Sequence, residues 1–217
     1  MGTNTPRKRK PSAFEILQFR VADVHWRWKV WKQLFTADPS KPDEAREWQG
    51  LMNSVARDFF VLLQDVLLQD VVLRICKLFD PPTGGPKQAK RTSLSLAAVR
   101  ESAKGRLTAS AEADIRKRTF ALQRTAKPLE AWRNRRLAHD DEQTATGASV
   151  LPMLQLARIE KALTQATEIM ALLDPDSASR EYKYDSMIAF GDGNALKYAI
   201  RCAAQYRKEC VAKGCVP

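Results

Sequence analysis

The chain has 217 residues, of which 44% are hydrophobic, and a formal net charge of +11. This length is enough for one ordinary domain with a hydrophobic core. The chain has no run of about 18 uncharged apolar residues and no apolar segment behind its N-terminal methionine, so we expect a soluble, cytoplasmic protein without a transmembrane helix or a secretory signal.

The first predicted elements are a basic tail and a long helix. All four residues at positions 7–10 are Arg or Lys, and we predict a flexible tail over residues 1–11. The first helix is predicted from Ser12, a suitable N-cap, to Phe35. Its apolar residues recur at alternating spacings of three and four, which is typical of a helix with one buried seam. The seam consists of Phe14, Leu17, Val21, Val24, Trp28, Trp31 and Phe35. His25 directly follows a seam residue, so we expect it at the edge of the core without a chemical role.

A second helix is predicted from Pro42 or Asp43 to Phe79, because proline suits the first helical position and acidic residues suit the first turn. Its segment F-F-V-L-L-Q-D-V-L-L-Q-D-V-V-L-R-I-C-K-L-F is apolar over most of its circumference. This pattern predicts a central helix that is covered on several sides. The prolines and glycines of D-P-P-T-G-G-P end the helix. The following segment S-L-S-L-A-A-V predicts a short helix.

A third long helix is predicted from about Ala111 to His139, and Pro128 is expected to bend or split it. Two more helical segments follow, at residues 152–173 and at residues 177–212, the latter with a break near residues 191–194. No strand-like alternation of apolar and polar residues persists along the chain. The predicted fold is therefore all-α, an elongated bundle of antiparallel helices.

The bundle is expected to form a single domain over residues 12–212, followed by a short C-terminal tail at residues 213–217. The four cysteines are Cys76, Cys202, Cys210 and Cys215, and none of them forms a C-x-x-C pair. So few cysteines, with this spacing, predict neither a disulfide framework nor a zinc site in a chain of this length. We expect reduced thiols, no metal and no other cofactor.

The positive charge is concentrated in one part of the chain. Residues 74–136 hold 16 Lys and Arg against 5 Asp and Glu, whereas residues 11–73 and 137–217 each have a net charge of −2. A basic block of this kind raises the local concentration of polyanions, nucleic acid above all. The bland alternative is a solvated surface that only keeps the protein soluble.

The basic block ends in W-R-N-R-R-L-A-H-D-D, in which Arg133 and Asn134 precede His139 by six and five positions. This Arg-Asn-x4-His pattern resembles the signature of HEPN domains, all-α nucleotide-binding domains whose active members are mostly ribonucleases. The segments L-F-D-P-P-T-G-G, S-L-S-L-A-A-V and G-D-G-N-A-L-K-Y-A-I, and Asp140 after the histidine, are similar to the abortive-infection branch of these proteins. The resemblance covers most of residues 12–200.

The resemblance implies a homodimer in which both copies of the motif build one composite cleft. It also implies a growth-arresting toxin or antiphage effector, with an antitoxin protein as a second partner besides RNA. Arg133, Asn134 and His139 are the residues that match the motif, and Asp140 is expected to support them.

The chemistry of RNA cleavage fits these side chains. RNA carries its own nucleophile, the 2′-OH, so cleavage needs a base, an acid for the 5′-oxygen and positive charge for the phosphorane. Histidine suits both proton roles near neutral pH, and arginine can hold a phosphate with two parallel hydrogen bonds. Asn134 is expected to orient a partner or the sugar. The expected RNA-binding residues are Arg135, Arg136, Arg116, Lys117, Arg118, Arg124 and Lys127.

The spacing of the motif has a geometric consequence. Six positions of a regular helix separate Arg133 from His139 by about 240°, so the two side chains do not share a face. Either the helix unwinds near His139, or residues of two protomers meet. The HEPN resemblance implies the second solution, which also supplies one histidine as base and one as acid.

Three other interpretations of the sequence remain open. The motif helix is explained without chemistry if Asp140 and Asp141 pair with its arginines and His139 caps its C-terminus. A non-catalytic RNA- or DNA-binding module would use the basic block to hold phosphates. A helical dimerisation scaffold would use the apolar seam of the first helix and bind no nucleic acid.

Overall fold

The structure is a computed structural model that describes residues 9–80, 93–134, 153–174 and 191–214. Within these ranges the chain forms helices and no strand, which confirms the all-α prediction. The helices are α1 (Ala13–Phe35), α2 (Pro42–Phe79), α3 (Leu96–Ala103), α4 (Ala109–Trp132), α5 (Leu156–Leu173) and α6 (Gly193–Ala212). Residues 1–8 of the predicted basic tail, and residues 215–217, lie outside the described residues.

Helix α1 begins and is buried as its sequence predicts. The Ser12 side chain accepts a hydrogen bond from the backbone N–H of Glu15, and the Glu15 carboxylate accepts one from the Ser12 N–H, which together form a capping box. Five of the seven predicted seam residues are buried, and Phe14 and Phe35 pack partly buried against the core. His25 is buried, with its Nε2 2.9 Å from Thr167 Oγ1 in α5.

Helix α2 spans the predicted residues, but only its C-terminal part is covered on several sides. Its residues from Val71 to Phe79 contribute much of the core, whereas Phe59, Val61 and Leu62 are 56–62% exposed. The prediction of a helix covered along its central segment is therefore wrong for one isolated chain. Only one side of this segment meets α1, where the Trp31 Nε1 donates a hydrogen bond to the backbone oxygen of Gln64. The helix also changes direction at Ala56, whose φ and ψ are −163° and 68°.

Four charged side chains join α1 to α2. Arg27 bonds to Asp23 in its own helix and to Asp70 in α2, at 3.1 and 3.0 Å. Arg74 of α2 closes the ring through Asp70, at 2.9 Å, and Asp23, at 2.6 Å. Each carboxylate contacts both arginines, so this half-buried network fixes the register of the two helices.

The remaining helices differ from the prediction mainly at their ends. Pro128 lies inside α4 and does not split it. Helix α5 begins at Leu156 rather than Pro152, since residues 153–155 are not helical. The last helix begins at Gly193, after the N-cap Asp192, and residues 175–190 lie outside the described residues. A Cβ at Gly193 would lie 2.9 Å from the Gln33 Cβ, so a glycine is needed where α6 meets α1.

Candidate active site at the end of helix α4

The start of the Arg-Asn-x4-His motif lies where the C-terminal ends of α2 and α4 meet. Arg133 is the C-cap residue of α4, and Asp80 is the C-cap residue of α2. Arg133 Nη1 forms a charge-assisted hydrogen bond with Asp80 Oδ1. Arg133 Nε donates a second hydrogen bond, of 3.0 Å, to the Oδ1 of Asn134. Two different side chains thus hold the guanidinium group in one orientation.

Burial and charge act in opposite directions on this arginine. Burial lowers the pKa of Arg133, but the hydrogen bond and the negative charge of Asp80 outweigh it, so that the pKa is raised overall. The side chains of Arg133 and Asp80 are 23% and 30% exposed, so the pair lies at the edge of the bundle rather than in its core. The guanidinium is therefore always charged, held in place and within reach of solvent.

Cys76 lies beneath this ion pair and is chemically inert. Its side chain is fully buried, one helical turn before Asp80. Burial raises the pKa of the Cys76 thiol to about 12, and the positive charge of Arg133 only partly opposes this effect. The thiolate is the reactive form of cysteine, so Cys76 is a core residue and not a nucleophile at neutral pH.

Asp80 is the residue of this site that sequence analysis did not single out. In the sequence it is one residue of the segment L-F-D-P-P-T-G-G, where a helix is predicted to end. Its partner is 53 positions away, and no local spacing connects the two residues. The one available signal was that an acidic residue at a helix C-terminus is electrostatically unfavourable and needs a compensating cation.

The other predicted site residues divide into two groups. Arg135, Arg136, His139 and Asp140 lie outside the described residues, as does the predicted continuation of the helix to His139. The basic residues of α4 are described. Arg118 forms an ion pair with Glu168 of α5, so the carboxylate of Glu168 compensates the positive charge of Arg118. Four other basic residues of α4 are exposed: Arg116, Lys117, Arg124 and Lys127.

The part of the chain that the structure describes contains no group of three or more His, Cys, Asp or Glu side chains able to hold a metal ion. Cys202 and Cys210 are free thiols on α6, and Cys215 lies beyond the described residues. Among the described helices, none carries a stretch that is apolar enough to span a bilayer.

Comparison with known protein families identifies a match over most of the chain. The family model HEPN_AbiU2, described as AbiU2, matches residues 13–190, which is most of the chain. It covers α1 to α5, Asp80 and the whole Arg-Asn-x4-His motif, and it ends before α6. Searches of curated proteins and of solved structures gave no significant match.

Proposed function

Because the chain belongs to the AbiU2 family of HEPN proteins, we propose that it is a metal-independent RNA endonuclease of the toxin or antiphage-effector type. The observation that carries this proposal is the arginine of the motif, whose guanidinium Asp80 and Asn134 hold at the edge of the bundle. A fixed, permanently charged guanidinium is the group that phosphoryl-transfer chemistry on RNA needs.

The proposed reaction uses the 2′-OH of RNA as its nucleophile. His139 of one protomer accepts the 2′-OH proton while the 2′-oxygen bonds to phosphorus. Arg133 stabilises the negative charge of the resulting phosphorane, and Asn134 keeps the guanidinium oriented. The bond from phosphorus to the 5′-oxygen then breaks, and the His139 of the second protomer donates a proton to that oxygen. The products are a 2′,3′-cyclic phosphate and a 5′-OH, and no metal ion takes part.

We propose that the active form is an isologous homodimer. The proposal follows from the angle of about 240° between Arg133 and His139 in a regular helix, which separates the two side chains within one protomer. The exposed apolar residues of α2 support it. Phe59, Leu62 and Val66 recur at spacings of three and four, so they lie on one face of the helix. An apolar stripe of this kind needs a cover, and a second copy of α2 supplies one.

RNA is the proposed substrate, and an antitoxin protein that blocks the cleft is the proposed second partner. We also propose that the protein acts in the cytoplasm. The non-catalytic binding module is the main rival, because the exposed cations of α4 would serve it equally well.

Cleavage of total RNA by the purified protein in EDTA is the test of the proposed function. We expect cleavage to persist in EDTA and to leave a 5′-OH with a cyclic phosphate or its hydrolysis product. His139→Ala should lower the rate by about 10²- to 10⁴-fold, and Arg133→Ala by about 10²- to 10³-fold. Arg46→Ala is the matched control, because Arg46 is an exposed arginine at the opposite end of α2, paired with Asp43.

The outcomes separate the rival functions. RNA binding without cleavage by the wild-type protein would replace the nuclease with the binding module. Cleavage that needs Mg²⁺, attacks DNA equally well or ignores His139 would refute the mechanism. If the protein neither cleaves nor binds RNA at any salt concentration, the dimerisation scaffold is the interpretation that remains.

A further inference from the structure

The outer face of α4 carries a row of cations with one aromatic side chain in its middle. We call these five residues the α4 strip: Arg116, Lys117, Phe120, Arg124 and Lys127. Relative to Phe120, the other four lie within about 60° around the helix axis, so that all five share one face. Arg118 lies about 160° away and pairs with Glu168 of α5, which shows that the strip faces away from the bundle.

Among the described residues, the hydrophobic core and the side chains packed against it do not include Phe120. It is 61% exposed, while Ile115 and Leu122 of the same helix are fully buried. It lines a shallow groove of about 590 Å³ together with Arg116, Lys117 and Glu112. An exposed phenylalanine between four cations is poorly suited to a second copy of the chain, because a two-fold contact would bring like charges together and charged residues are depleted in interface cores.

The strip leads to the candidate active site. Asn134 lies two residues beyond the end of α4 and is exposed, and its Oδ1 accepts a hydrogen bond from the Nε of Arg133. From Arg116 to Trp132, the last residue of α4, the distance along the helix is about 24 Å. A strand of RNA that follows the outer face of α4 therefore reaches the residue that orients the proposed phosphate-binding arginine.

Cations that track the phosphates, with an aromatic ring on which a base stacks, are the two components of sites for single-stranded nucleic acid. We infer that the α4 strip binds the part of a single-stranded RNA that leads to the active site, and that Phe120 stacks on one base of this RNA. The inference rests on the proposed ribonuclease function, because it names the path of the substrate. It assigns Phe120 to RNA binding rather than to chemistry.

The test uses the full chain and a 12-nucleotide uridine RNA whose 2′-oxygens are all methylated. This probe cannot be cleaved by attack of a 2′-OH, so its Kd reports binding alone. Phe120→Ala and Phe120→Leu should each weaken binding by about 5- to 150-fold, the contribution of one stacked base, whereas Phe120→Trp should bind at least as tightly as wild type. Phe19→Ala, which removes an exposed phenylalanine from α1, is the matched control and should leave the Kd unchanged.

Three results would overturn the inference. Equal losses for Phe120→Ala and Phe19→Ala would mean that any exposed ring contributes. A Phe120→Leu variant that binds like wild type would mean that an apolar contact, and not stacking, is made. A change of sedimentation coefficient in Phe120→Ala would assign the ring to a protein interface. Failure of the proposed function would give a different result. If the protein cleaves no RNA but binds the probe in a Phe120-dependent way, the RNA-binding role of the α4 strip stands and the ribonuclease function is refuted.

Discussion

The ion pair of Asp80 and Arg133 should stabilise the fold and also set the rate of cleavage. Exposed pairs contribute about 0.2–1 kcal/mol, and removing one partner of a fully buried pair costs about 3–5 kcal/mol. More than two thirds of both side chains is covered, so we expect a coupling free energy of about 1–2 kcal/mol from a double-mutant cycle of Asp80→Asn and Arg133→Gln. In a chain of this size, 1 kcal/mol shifts Tm by about 2–4 °C. The cycle is measured by thermal and urea unfolding.

The same substitution separates positioning from structure. Asp80→Asn can still accept a hydrogen bond from Arg133 Nη1, whereas Asp80→Ala leaves the guanidinium without this anchor. We therefore expect Asp80→Ala to lower kcat by on the order of 10²-fold and Asp80→Asn by less, with KM little changed. The pair of Asp43 and Arg46 is the control, because it is an exposed Asp–Arg pair whose cycle should give less than about 0.5 kcal/mol. A coupling energy near zero at Asp80, or an unchanged kcat in a folded Asp80→Ala variant, would refute the assignment.

The sequence was most informative where spacing alone determines the structure. The seam of α1, its Ser12 cap and the bounds of α2 follow from local patterns, because helical periodicity and capping are decided within a few residues. The start of α5 could not be predicted as well. Its N-cap residue Gln155 makes no side-chain capping bond, so the sequence carries no start signal there.

The contacts between residues far apart in the chain could not be predicted from the sequence, for a different reason. Asp80 and Glu168 lie 53 and 50 positions from the arginines that they contact, and only the packing of whole helices brings them together. The exposure of α2 could not be predicted because the hydrophobicity of a segment does not show whether other helices of the same chain cover it. The motif was visible as a pattern, whereas the side chain that anchors its arginine was not.

Three further predictions follow from the charge of α4, the burial of Cys76 and the exposed stripe of α2. Arg116→Glu with Lys117→Glu should flatten the log–log salt dependence of RNA binding by about 1.4, or about 0.7 per lost phosphate contact; an unchanged slope would make these residues solvated surface only. The pKa of Cys76 is raised from 9.0 to about 12 in the fold, so its stabilising contribution is complete below pH 9 and is lost as the pH rises toward 12. Between pH 9 and pH 12, the free energy of unfolding of the wild type, measured with urea, should fall by about 1.4 kcal/mol per pH unit relative to that of Cys76→Ala. Parallel pH profiles of the two proteins would contradict this prediction. Leu62→Glu should convert the proposed dimer to a monomer in sedimentation experiments, because Leu62 is 62% exposed in one chain and a glutamate there would be a buried, unpaired charge between two symmetric copies. The monomer should keep its Tm, since a surface substitution usually costs less than about 0.5 kcal/mol, and Phe19→Glu should leave the dimer intact. His139 and Arg133 of one protomer cannot share a face of a regular helix, so the Leu62→Glu monomer should also lose RNA cleavage. A monomer that cleaves RNA at the wild-type rate would show that one chain builds the whole site.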